Sequence, residues 1–209
     1  MRLSDLSLIA AGVLSAAGLG LLLAARPNVL PEPEPRHPIT DEMRREAAAR
    51  ANSTGPTIDA VDTEGDKVNL TKLTEGGPAF LIFIMDSCPC SMEAQPFFQR
   101  LYDGFGQKVP FVGVTDGTLV QGKEWKAHFQ MTFPLISDPK KDLMQAFGAK
   151  HSAYTALVGK GGRVVKLWPG YDQAMLGEMK AAIAREAGVP DPKVSTSDAP
   201  TKPTSGCVF

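Results

Sequence analysis

The run Ala79 to Met85 (AFLIFIM) contains no polar residue and leads through Asp86-Ser87 directly into Cys88-Pro89-Cys90. Such a run fits a strand buried on both faces at the centre of a sheet with parallel neighbours, and a proline just past its end fits the first turn of a helix. A strand that passes at once into a helix sets Cys88 beside unpaired backbone amides and the positive end of the helix dipole, where a thiolate is stabilised. The pattern implies an α/β arrangement with redox chemistry at the strand-to-helix turn. Taken alone, a free cysteine is more often a small buried hydrophobe than a nucleophile. Here the strand end, the proline and the second thiol favour reactivity.

Other features narrow the function classes. The chain has 209 residues, 43% hydrophobic and 22% charged, enough for one well-packed domain with extensions. A formal net charge of -1 with no basic block gives no electrostatic reason for a nucleic-acid partner. Three cysteines cannot build a disulfide framework, and at least one thiol stays free or pairs between molecules.

The organisation divides into four parts. From Leu6 to Ala25 there is no charged residue, and Arg26-Pro27 closes the run. Its length matches the hydrocarbon core of a bilayer, whereas a secretory apolar region usually has only about 7 to 15 residues. Residues 1–26 are therefore expected to form a membrane anchor, with a cleaved signal peptide as the alternative, since Leu23-Ala24-Ala25 is a poor cleavage site. Arg2 precedes the run and Arg26, Arg36, Arg44 and Arg45 follow it, a bias toward a cytoplasmic domain that weakens for large translocated domains. The redox domain is expected on the non-cytoplasmic side.

Residues 27–55 read as a spacer rich in proline (PNVLPEPEPRHP) followed by a short surface helix from Asp41 to Ala51 capped by Thr40. Residues 56–188 read as the compact domain. It has a hairpin across Asp62 to Asp66, the apolar strand, the cysteine helix to about Phe105 with a kink at Pro96, and a strand over Val109 to Thr115. Further on come a helical piece over Lys123 to Phe129, a helix opened by Asp138-Pro139 and ending at Phe147, and a strand hairpin across Gly159-Lys160-Gly161-Gly162. The last helix is capped by Asp172 and stopped by Gly188. Residues 189–209, rich in Pro, Ser and Thr, read as a disordered tail.

Asp62-x-x-Gly65-x-x-Val68-x-Leu70, the strand PAFLIFIM, Ser87-Cys88-Pro89-Cys90-Ser91 and Leu157-Val158-Gly159-Lys160-Gly161-Gly162-Arg163-Val164-Val165 resemble the thioredoxin-like superfamily. The likeness is strongest to its redoxin branch, the alkyl hydroperoxide reductase/thiol-specific antioxidant (peroxiredoxin-like) type with its membrane-tethered relatives. It covers roughly residues 56–188. It implies a three-layer α/β/α sandwich with a mixed central sheet, here preceded by one N-terminal transmembrane helix. It also implies Cys88 as nucleophile, Cys90 as the second cysteine one residue closer than in Cys-x-x-Cys, and Glu93 as a proton acceptor.

Three departures bear on the activity. Met85 stands three residues before Cys88, where peroxidatic relatives carry Thr or Ser; the arginine they place just before the penultimate strand is missing; and Ala153 stands where thioredoxins place a proline. A peroxidase needs groups that polarise the peroxide bond, whereas dithiol exchange needs only an activated thiolate, an accessible disulfide and a resolving thiol. The expected function is thus a thiol-disulfide oxidoreductase with catalytic Cys88, Cys90 and Glu93 and no cofactor or metal. Its partners would be a protein or small-molecule disulfide and an upstream redox protein, with membrane contact through residues 6–25.

The alternatives are a peroxiredoxin-like antioxidant peroxidase, a copper-binding chaperone suggested by Met85 and Met92 beside the thiols but lacking a histidine in the motif, and a non-catalytic interaction module. His128 and His151 read as structural, and Trp125, Phe129 and Phe133 as core. On a regular helix, side chains two residues apart point to nearly opposite faces, so Cys88 can bridge to Cys90 only from non-helical cap geometry or through a distorted first turn. Cys207 is the rival resolver, on a tail of about 20 residues able to reach roughly 25 Å.

Overall fold

The apolar run becomes the central strand of a five-stranded sheet in the computed structural model, which describes residues 32–209. The expected anchor at residues 1–26 lies outside the described residues. Among the described residues, no helix is long and apolar enough to cross a membrane.

A hairpin of β1 (Asp59–Val61) and β2 (Lys67–Asn69) stands apart as its own two-stranded sheet. The main sheet holds β3 (Ala79–Ile84), β4 (Phe111–Thr115), β5 (Leu135–Ser137), β6 (Thr155–Val158) and β7 (Val164–Trp168) in the order β5-β4-β3-β6-β7. β3 runs parallel to β4, as does β4 to β5, while β6 is antiparallel to both β3 and β7. The sheet is mixed, and every residue of β3 is buried at its centre.

The helices are α1 (Asp41–Ala49), α2 (Leu70–Leu73), α3 (Pro89–Phe105), α4 (Leu119–Phe129), α5 (Asp142–Phe147) and α6 (Gln173–Ala187). Alternation along β3 sends Phe80, Ile82 and Ile84 to one face, where they join Phe98 and Leu101 of α3 with Leu176, Met179 and Ile183 of α6. Leu81 and Phe83 go to the other face, with Met43 and Ala47 of α1 and Met144 and Phe147 of α5. Two apolar layers on one sheet make the three-layer sandwich.

α3 runs to Phe105 as expected, with Pro96 inside it. One boundary differs from the expectation for a physical reason. Asp138 caps its helix from farther away than an N-cap does. Its carboxylate accepts the N–H groups of Asp142, Leu143 and Met144 at 3.0, 2.9 and 3.1 Å, so α5 starts at Asp142. The caps at Thr40, Asp172 and Gly188 stand where expected.

The tail is the main correction. Residues 189–209 are not disordered: Tyr171 and Thr204 exchange both backbone hydrogen bonds, at 2.8 and 3.0 Å, and the Ser205 N–H donates to the His37 carbonyl at 2.8 Å. Arg100 holds Asp198 through two nitrogens at 2.6 and 2.8 Å, and Ala199 and Ser205 are buried. A segment too polar to form its own core can still satisfy its backbone against a neighbour, which composition does not reveal. Residues 34–55 share this order, with Met43 and Ala47 in the core, so Glu34–Phe209 forms one unit where 56–188 was expected.

Candidate active site

The loop after β3 is clamped before it reaches the cysteines. Asp116 Oδ1 accepts the Asp86 N–H at 2.8 Å, and Gln121 Nε2 donates to Asp86 Oδ2 at 2.7 Å. Ser87 takes the left-handed conformation (φ 57°), which turns the chain into α3. Cys88 is the N-cap of α3, extended at φ -86° and ψ 119°, with Pro89 as the first helical residue. Its side chain does not cap the helix, which leaves the sulfur to other partners.

Those partners come from two distant segments. Cys88 Sγ lies 2.9 Å from Cys207 Sγ and 3.5 Å from Ser152 Oγ, and all three cysteines are free thiols. Burial pushes the Cys88 thiol up, but hydrogen bonds from the Cys207 thiol, the Ser152 hydroxyl and the backbone N–H groups of Cys207 and Ser91 outweigh it, bringing it below the usual thiol range to about 6. Cys90 is driven the other way, to about 12, first by burial and then by the negative charge of Cys88, with Glu93 adding to it. Cys207 is also raised, first because it donates to the Cys88 thiolate. The cluster thus holds one thiolate and two thiols at neutral pH.

Cys207 arrives by strand-like pairing. The Gly206 N–H donates to the Ser152 carbonyl at 3.0 Å, the Ser152 N–H to the Cys207 carbonyl at 2.9 Å, and the Phe209 N–H to the Lys150 carbonyl at 3.0 Å. Only glycine permits this approach at 206, because a Cβ there would stand 1.9 Å from Ser152 Oγ and 2.8 Å from the Ser152 carbonyl oxygen. The docked tail leaves Cys88 2% exposed and Cys90 5% exposed.

The expected site residues are only partly brought together. Cys88 and Cys90 share the cluster, while Glu93 is exposed and pairs with Arg36 at 3.6 Å. Ser152 and His37, whose Nε2 lies 3.6 Å from Cys207 Sγ, were not foreseen. His151 stacks on Tyr154, and His128 packs edge-on against Phe129. The Met85 N–H bonds Ser91 Oγ at 3.1 Å, and Ala153 takes φ 61° with its N–H on the Phe83 carbonyl. Among the described residues, no guanidinium is bonded to the Cys88 sulfur.

A mixed sheet whose central strand delivers an activated cysteine to a helix N-terminus defines a thioredoxin-like oxidoreductase. Within that class the chain belongs to the AhpC/TSA family, whose match spans residues 51–167, more than half of its 209 residues. It is 26% identical over 143 residues to thiol-disulfide oxidoreductase ResA of Halalkalibacterium halodurans, covering 66% of this chain and 80% of that one. Among solved structures, the thioredoxin domain of a thiol-disulfide oxidoreductase from Bacteroides vulgatus superposes with a TM-score of 0.56 at 17% identity, covering 64% of this chain and 97% of that one. Peroxidoxin BcpB from Mycobacterium tuberculosis superposes with a TM-score of 0.56 at 18% identity, covering 65% and 96%. Two activities on equally similar folds mean that the site, not the fold, must separate them.

The lowered Cys88 pKa has a measurable sign. The reactive thiolate is present above about pH 6 and lost as pH falls through that value, so peptide-resolved alkylation of Cys88 is expected to show a midpoint near pH 6. In Cys207→Ala, which removes the strongest of the stabilising hydrogen bonds, the midpoint moves up. A wild-type midpoint at the free-cysteine value of about 8.5 would contradict this arrangement.

Proposed function

We propose that this chain is a thiol-disulfide oxidoreductase tethered to a membrane through residues 6–25, with its redox domain on the non-cytoplasmic side and a Cys-Pro-Cys motif at its centre. The observation that carries the catalytic reading is the contact between Cys88, at a helix N-terminus, and a second thiol 2.9 Å away. The Cys88 thiolate attacks a substrate disulfide; one substrate sulfur leaves as a thiolate, and Cys88 is held in a mixed disulfide. A second thiol loses its proton and attacks the Cys88 sulfur, expelling the other substrate sulfur and closing an internal disulfide. The substrate gains two electrons, and an upstream dithiol protein returns the enzyme to its reduced state.

The geometry favours Cys207 over Cys90 as the resolving thiol. Cys207 touches the Cys88 sulfur, whereas Cys90 sits one residue into the helix, buried and held protonated. Access follows the same logic: with Cys88 2% exposed, a substrate disulfide reaches it only when the tail lifts from Ser152.

A peroxidase reading is weakened by the neighbours of Cys88, which supply hydroxyl, thiol and backbone donors but no cationic group to a leaving hydroxide. Turnover of a protein disulfide and of hydrogen peroxide by the same full-length protein tests the reading. Disulfide reduction is expected to be faster by about a hundredfold or more, the usual effect of one missing oxyanion donor. Peroxide turnover at an equal or higher rate would replace the oxidoreductase reading with a peroxidase.

A further inference from the structure

Thiol exchange as proposed leaves two members of the cluster without a task, Cys90 and His37. Cys90 is buried at the start of α3, and His37 belongs to the segment before α1, 170 residues from Cys207 in sequence. The ligating atoms of His37, Cys90 and Cys207 nevertheless all lie within 4.8 Å of one another. We propose that these three residues, with Cys88 beside them, form a binding site for a thiophilic d10 cation, Cu(I) or Zn(II).

The donor chemistry selects the ion. The converging ligands are sulfur and imidazole, which suit Cu(I) and Zn(II) and disfavour the oxygen-seeking Mg2+ and Ca2+. An ion bound at about 2.3 Å to sulfur and about 2.0 Å to nitrogen separates its ligands by roughly 3.5 to 4.5 Å, depending on coordination number. The Cys207 sulfur and the His37 nitrogen are 3.6 Å apart, already inside that range. Cys88, 2.9 Å from Cys207 but outside the set of three, becomes a fourth ligand only by moving off Cys207 and closer to the other donors.

The backbone holds the set together independently of any ion. The Ser205 N–H donates to the His37 carbonyl at 2.8 Å and the Ile39 N–H to the Pro203 carbonyl at 3.3 Å, so one pairing carries both His37 and Cys207. The other side of the tail pairs with Ser152 beside Cys88, which fixes the sulfur of Cys207 between the histidine and the helix. The motif itself contains no histidine. The imidazole comes from a segment that reads in sequence as a spacer.

Binding displaces one proton from each thiol it engages, passed to solvent, and leaves the ion's oxidation state unchanged. Closing a Cys88–Cys207 disulfide removes Cys207 as a ligand, so oxidation and ion binding exclude each other. The site rests on the cluster geometry and does not require the exchange reaction to run in either direction.

The test uses reduced full-length protein in detergent, titrated with Cu(I) against a chromophoric Cu(I) chelator and, separately, with Zn(II) against a zinc indicator. One equivalent per chain is expected for at least one ion, and the arm that saturates identifies which. His37→Ala is expected to weaken that binding at least tenfold, with an unchanged circular dichroism spectrum and melting temperature showing that the variant folds. Cys90→Ala weakens it as well, and closing the disulfide abolishes it. Binding below one equivalent for both ions, or unchanged affinity in His37→Ala, would overturn the site. Neither result would affect the disulfide turnover on which the oxidoreductase reading depends.

Discussion

Cys88→Ser is expected to lower disulfide turnover by about a hundredfold or more, because it removes the one thiol of the cluster that is ionised at neutral pH, while burial, the largest cause holding Cys90 protonated, remains in the variant. At pH 7 a thiol with a pKa of about 6 is mostly ionised, whereas one at about 12 is ionised to roughly one part in 10⁵. The less acidic thiolate is intrinsically the better nucleophile. With a Brønsted slope of about 0.4 to 0.5 over that pKa difference, Cys90 regains roughly 10² to 10³. In the wild-type cluster the net advantage of Cys88 over Cys90 is about 10² or more, before the helix and the docked tail restrict access to Cys90. Turnover of a chromogenic disulfide by Cys88→Ser, Cys90→Ser and Cys207→Ser in the full chain measures this directly. A Cys88→Ser protein with more than about a tenth of wild-type activity would give the attacking role to another thiol. Cys207→Ser, by contrast, is expected to accumulate the mixed disulfide on Cys88, visible by mass spectrometry.

The parts of this site legible in sequence are those set by local periodicity. The run AFLIFIM gives a strand buried on both faces because it has no polar side, and Pro89 starts the helix because a first-turn residue needs no N–H partner. Together they locate Cys88 and its cap geometry. The same local rules find the caps at Thr40 and Asp172, where one side-chain oxygen meets one backbone amide.

What escaped notice depends on contacts across long stretches of chain. Ser152 is an ordinary serine until β6 carries the residues before it to the helix start, and His37 sits in a proline-rich stretch with no recognisable motif around it. The tail misled because composition reports whether a segment can build its own core. It does not report whether another surface will complete its hydrogen bonds. One signal was present: Gly206 beside Cys207 is the residue that a close backbone approach demands. Glu93 matches the resemblance in position; its carboxylate is exposed and pairs with Arg36, while its charge still acts on Cys90.

Gly206→Val is expected to open the site without dismantling the domain. The new Cβ would fall 1.9 Å from Ser152 Oγ, which can rotate away, and 2.8 Å from the Ser152 carbonyl oxygen, which cannot. The chain must therefore withdraw, losing the Gly206 to Ser152 and Ser152 to Cys207 hydrogen bonds of 3.0 and 2.9 Å. At about 0.5 to 1.5 kcal/mol each, these amount to roughly 1 to 3 kcal/mol, or a population of the lifted tail higher by about 5- to 150-fold. Two consequences for Cys88 oppose each other near neutral pH. Exposure speeds its alkylation, while loss of the bonds from Cys207 raises its pKa and shrinks the thiolate fraction. At pH 9 most of the second effect is removed, so alkylation there is expected to rise at least about fivefold over wild type, with the midpoint of the pH profile moved upward. Mild oxidation should at the same time yield less Cys88–Cys207 disulfide. Equal alkylation rates at pH 9 in the two proteins would mean that the tail does not guard Cys88, and the gated-access reading would fall.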